Sequence, residues 1–269
     1  MNLTRKLLYL TVLVSFFLTV FPFAADAGKL PVEQQLHICV KGRDLVLQRK
    51  YSVAQEFFQG VVRDYPEELL GYFGLMALYQ IRNLDNFDFR FDADYKPWEE
   101  KGRPMALKAA KNLETAEPWD LLVAGGTLGI AGFYRAHNTK WLAALRDGSL
   151  GFHTIERAYR MDPKLTEALL GVGLYHYWRS YFTRKLLFLP FFADHRKEGR
   201  EELERAVRES RFASVLAEIA IAFIDFQEKN YSKVVATCDR LLKQYPQNTI
   251  LRTLRRKAAI DALKESQKK

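Results

Sequence analysis

Small and apolar residues recur along this 269-residue chain at offsets of four and three, each set followed five residues later by a proline. Ala54, Phe58 and Val61 precede Pro66, and Ala106, Ala110 and Leu113 precede Pro118. Gly151, Ile155 and Ala158 precede Pro163, and Val234, Cys238 and Leu241 precede Pro246. Offsets of three and four place each set on one face of a helix, and the proline then ends that helix or opens the next. A second pattern follows two of the prolines. Tyr72, Leu75, Met76 and Tyr79 are spaced three, one and three apart, and Leu169, Val172, Gly173 and His176 repeat that spacing. The two patterns together predict paired helices over 33–65, 68–117, 119–162, 165–210 and 214–245. A last charged helix over 248–265 turns Leu251, Leu254, Ala258 and Leu263 inward.

The recurring face resembles the tetratricopeptide repeat (TPR) family, whose unit of about 34 residues is a pair of antiparallel helices with conserved-type small and large positions at these offsets. The resemblance implies an all-α fold, an α-solenoid of about five TPR-like hairpins with a C-terminal capping helix. It implies that Gly173 lets two helices approach closely, which offsets the roughly 1 kcal/mol that glycine costs inside a helix. It also implies a concave surface that binds protein or peptide. The prolines are spaced by 52, 45 and 83 residues, so material is inserted. One insertion, Arg82 to Pro104, interrupts a repeat between its two helices, and within it Phe87, Phe89 and Phe91 alternate with polar residues as in a short extended segment with one apolar side. The other, Arg179 to Lys197, precedes a degenerate helix carrying Gly199, Leu203, Ala206 and Arg211.

The N-terminus has a different character. Arg5 and Lys6 precede an uncharged apolar stretch from Leu7 to Ala25, and Ala25-Asp26-Ala27 offers a cleavage point before Gly28. That is the pattern of a secretory signal peptide over 1–27, with an uncleaved anchor as the alternative, and residues 28–269 as the exported helical domain. Cys39 and Cys238 lie 199 positions apart at apolar places in helical patterns, which favours two buried thiols over a bridge.

Candidate chemistry is sparse. The glycines of "AGGTLGIAG" from Ala124 lack the preceding strand and the G-K-[ST] of a phosphate-binding loop. His37, His137, His153, His176 and His195 show no zinc-ligand spacing, and His176 reads as an aromatic packing residue with one satisfied nitrogen. Asp85, Asp88, Asp92 and Asp94 do not match a calcium-loop spacing. The expectation is no catalytic, cofactor-binding or metal-binding residues. A net charge of +9 favours acidic protein or anionic lipid partners, and scattered Lys and Arg disfavour nucleic acid. The second insertion concentrates apolar residues between basic clusters, which makes Leu187, Phe188, Phe191 and Phe192 the candidate contacts. The function expected is a non-catalytic TPR scaffold in a bacterial-type cell envelope that binds protein or peptide. The alternative is an envelope-biogenesis or enzyme-accessory subunit that touches lipid through residues 179–197.

Overall fold

The computed structural model describes residues 29–86, 90–112, 115–183 and 193–267. The chain divides into residues 1–30 and a helical unit, residues 31–269. The expected signal peptide and the contacts Leu187, Phe188, Phe191 and Phe192 lie outside the described residues.

The fold is all-α: the described residues hold eleven α-helices, one 3-10 turn and no strand. The helices are α1 (Val32–Leu47), α2 (Tyr51–Asp64), α3 (Leu69–Asn86), α4 (Asp92–Lys111), α5 (Pro118–His137) and α6 (Trp141–Met161). After the 3-10 turn Thr166–Ala168 come α7 (Leu169–Thr183), α8 (Arg196–Glu209), α9 (Ala213–Gln227), α10 (Tyr231–Gln244) and α11 (Thr249–Ser266). Each helix packs on the next along the chain. None of them is long and apolar enough to cross a membrane.

Three of the four proline sets act alike. Ala54, Phe58, Val61, Gly151, Ile155, Ala158, Val234, Cys238 and Leu241 are buried, while Pro66, Pro163 and Pro246 are exposed and work through the backbone. The residue before each proline, Tyr65, Asp162 or Tyr245, has left the helical region (ψ 68°, 95° and 62°), because the proline ring crowds a helical predecessor. The set at Pro118 departs from this frame. Ala106 is buried and Ala110 half-buried, but α4 stops at Lys111, Leu113 is outside the described residues, and Pro118 opens α5 at its first turn.

Three hairpin turns share one geometry that the apolar pattern does not show. Arg49, Thr139 and Lys229 hold left-handed backbones (φ 61°, 58° and 64°) between α1 and α2, α5 and α6, and α9 and α10. In each turn the next amide bonds back across five residues: Lys50 to the Leu45 carbonyl at 3.0 Å, Lys140 to Arg135 at 2.9 Å and Asn230 to Asp225 at 2.8 Å. An aromatic residue, Tyr51, Trp141 or Tyr231, then opens the second helix.

Glycines set the closest approaches. A Cβ added at Gly173 would lie 2.7 Å from the Gly199 carbonyl oxygen, and one at Gly199 would lie 2.6 Å from that of Gly173. Gly125 and Gly151 repeat the arrangement between α5 and α6, at 2.7 and 2.8 Å. Backbone therefore touches backbone in both hairpins. Gly171 faces the Ile155 side chain instead, so it admits α6.

The alternating stretch at Phe87 and Phe89 lies outside the described residues; to either side of it the insertion is helical, since α3 continues to Asn86 and α4 begins at Asp92. Asp92 and Asp94 in the first turn of α4 favour a helix start there. Buried Asn83 fixes it, accepting from the Phe91 amide and donating to Asp92, both at 3.0 Å. Tyr95, fully buried against Tyr134 at 4.1 Å, anchors the inward face.

In stacked helical hairpins most contacts join neighbouring units. Helix α1 adds contacts beyond these, running past the starts of α5, α9 and α11 in chain order. Gln35 accepts from the Trp119 indole at 2.8 Å, and Arg43 donates to the Arg211 and Phe212 carbonyls, both at 2.7 Å. Asp44 then accepts from Tyr245 at 2.9 Å, and the Leu47 carbonyl from Asn248 at 3.3 Å. Thr249 at the start of α11 adds a bond to Asp85 of α3. The last helix is thus tied to the first hairpins. Leu251, Leu254 and Ala258 are buried as expected of its inner face, whereas Leu263 is exposed.

Candidate functional site

Helix α7 buries Leu169, Val172 and Tyr177 and seats Gly173 on α8. Its remaining face is aromatic and cationic. Tyr175 stacks on Phe152 of α6 at 3.7 Å, and the Arg179 guanidinium lies over the Tyr175 ring. Trp178 stacks on Phe182 at 5.8 Å and meets Tyr181 edge-on at 5.5 Å. Tyr181 accepts from Gln227 of α9, and Tyr177 donates to Glu228 at 2.9 Å. Phe182 is 74% exposed at the end of this run.

Beside that face, two histidines and two carboxylates converge from α7 and α8. His176 Nδ1 lies 2.8 Å from Glu202. His195, at the N-cap of α8, places its Nδ1 2.7 Å from Glu198 and stacks its ring on His176 at 5.5 Å. Its backbone amide donates to buried Ser180 at 3.0 Å, which ties the cap to α7. The hydrogen bond to Glu202 raises the His176 pKa above its ordinary value; burial opposes this, and the Glu202, Glu198 and Glu156 charges add to it.

His176 thus packs its ring against Phe152 at 5.5 Å with one nitrogen satisfied, as its place in the sequence suggests, and the satisfying group is a carboxylate. The signal in the sequence was His195-x-x-Glu198-x-x-x-Glu202, three residues on one helical face. Of the other histidines, His37 is exposed, His137 bonds Gln80 at 3.1 Å and His153 pairs with Glu156 at 3.5 Å. Of the aspartates of the first insertion, Asp88 lies outside the described residues. Asp85 pairs with Arg49 at 2.6 Å and with Tyr51, and Asp92 with Asn83. Cys39 and Cys238 are free and buried; burial pushes their thiols up to about 12 and about 11.

Two further features stand apart. Asp147, fully buried on α6, takes two 2.8 Å bonds from Arg103 and a 3.2 Å contact from Arg135, which also pairs with Glu99. Trp141, Leu142 and Leu145 at the start of α6 are exposed, Leu142 at 86%. Comparison of the chain with protein-family models, curated proteins and solved structures finds no match.

Proposed function

We propose that the chain is a non-catalytic scaffold for a protein or peptide partner, an α-solenoid of TPR-like hairpins exported to the cell envelope behind a signal peptide over 1–27. The observation that carries this reading is the α7 face. Trp178, Tyr181 and Phe182 brace one another and leave Phe182 open to solvent. Rigid aromatic side chains of this kind anchor interfaces because they offer large contact area at little entropic cost. The tie between the first and last helices supports a stiff platform, and the net charge of +9 suits a partner with an apolar anchor and an acidic flank. A photo-crosslinking residue placed at Phe182 should capture one discrete partner in envelope extract, and Trp178→Ala should weaken that capture at least tenfold. A crosslink pattern no different from one placed at exposed Met161 would refute this assignment.

A second reading, peripheral membrane contact, is favoured by one specific feature. Exposed Trp141, Leu142 and Leu145 stand beside Lys140 and Arg146, the mixture that seats a helix in an anionic lipid interface. Vesicle flotation separates the two. Binding to anionic vesicles that Leu142→Asp with Leu145→Asp abolishes would establish the membrane contact.

A further inference from the structure

We infer that His176, His195, Glu198 and Glu202 form a zinc site spanning the α7–α8 hairpin. Ligand atoms of His176, Glu198 and Glu202 already lie within 4.8 Å of one another. His195 stands one ring away, with its own Nδ1 2.7 Å from Glu198. A tetrahedral zinc with bonds of about 2.0–2.2 Å needs donors about 3.3 Å apart, so the three grouped ligands draw together and His195 turns toward them to complete the set.

The framework is rigid where it has to be and free where it has to move. The Gly173–Gly199 backbone contact fixes α7 against α8 directly beneath His176, whose Cβ is 3.1 Å from where a Cβ on Gly199 would lie. The Glu198 and His195 side chains are 54% and 39% exposed, so they can turn inward without disturbing the core. Both imidazoles direct Nδ1 at a carboxylate, so each already sets a nitrogen donor beside an oxygen donor.

Ligand chemistry selects the ion. Two imidazoles and two carboxylates match the nitrogen and oxygen donors of zinc, and the two carboxylate charges balance a divalent cation. Calcium and magnesium take oxygen ligands almost throughout, which two imidazoles do not provide. The site lies beside the aromatic face of α7 but does not depend on that face binding a partner.

The test is titration of the full chain, stripped with EDTA, with zinc alone against a chromogenic chelator, followed by cobalt substitution. The expected result is one zinc per chain, an intense visible absorption from tetrahedral cobalt, and at least tenfold weaker binding in each of His176→Ala and Glu202→Gln. His153→Ala, on an exposed side chain elsewhere, should leave binding unchanged. His195→Gln and Glu198→Gln alter partly exposed groups and keep the test decisive if either inner variant misfolds. Absence of saturable zinc binding, or binding that survives all four substitutions, overturns the site.

Discussion

The Tyr245 hydroxyl donates a 2.9 Å hydrogen bond to Asp44, joining residues 201 positions apart. Tyr245 is fully buried, and the bond sits within a series from α1 that also engages Trp119, Phe212 and Asn248. An open array of repeats unfolds in stages, because each unit depends only on its neighbours. With its last hairpin held by its first helix, residues 31–269 should instead unfold in one transition, with circular dichroism and tryptophan fluorescence coincident in urea. Tyr245→Phe removes one bond and should cost about 1 kcal/mol. A staged transition in the unmodified chain would show that the long-range bonds contribute little.

The glycines give opposite expectations according to what faces them. Gly173→Ala would press a methyl to 2.7 Å from a carbonyl oxygen of α8 and should lose about 1–3 kcal/mol as the helices part. Gly129 and Gly148 have nothing within 4 Å of an added Cβ, so Gly129→Ala and Gly148→Ala should each gain up to about 1 kcal/mol from helix propensity. Thermal unfolding of the three variants decides it. Loss of stability at all three would mean that helix propensity is not the governing term at the open positions.

Thr139 is β-branched and left-handed at φ 58°, a conformation that costs an L-residue about 1–2 kcal/mol. Thr139→Gly should therefore stabilise by about 1 kcal/mol after glycine's greater freedom in the unfolded chain is offset. Chemical denaturation that shows the variant weaker would point to a role for the Thr139 side chain that its backbone geometry does not reveal.

The all-helical character and the inward faces around Ala54, Gly151 and Cys238 were legible because burial on a helix repeats every three or four residues. The tight approach at Gly173 was legible for the same reason, since a glycine inside an apolar face has few other uses. The three turns were hidden because Arg49, Thr139 and Lys229 are not the glycines that left-handed backbones favour. Contacts of α1 with Trp119, Arg211 and Tyr245 are single polar pairs at long range, which leave no periodic trace. The His176–His195 pairing depends on α7 and α8 folding back on each other, so 19 residues of sequence separation concealed it. Helix α4 runs through Pro97 and Pro104, residues that ordinarily interrupt a helix, with Asn83 and Tyr95 securing its start.

Asp147 is fully buried and its negative charge is met by Arg103 and Arg135. Burial alone would raise its carboxyl, but the bonds from Arg103 and the charges of Arg103, Arg135 and Arg146 hold it below the usual range. Asp147→Ala would strand two guanidinium groups between α4, α5 and α6, at a cost of about 3–5 kcal/mol. Asp147→Asn keeps part of the hydrogen bonding and should cost less. Denaturation midpoints that rank the two variants the other way would show that shape, not charge, governs this site.

His176 gives the chain a pH dependence of defined sign. Its pKa is raised in the folded state, first by the hydrogen bond to Glu202 and then by the neighbouring carboxylates Glu202, Glu198 and Glu156, with the His195 ring packed on the same side. A group whose folded pKa lies above its unfolded value binds its proton more tightly when folded. The stabilisation is therefore complete below the ordinary histidine pKa of about 6.5 and fades as pH rises through the raised value. Stability of the EDTA-treated chain, followed from pH 5 to 9, should fall as pH rises above about 6.5 by an amount that His176→Gln removes. Glu202→Gln should remove most of the same increment, since it deletes the hydrogen bond and the nearest charge and leaves only Glu198 and Glu156 to favour the proton. A pH profile that His176→Gln leaves unchanged would place the titrating group elsewhere and separate the histidine pair from the stability of the fold.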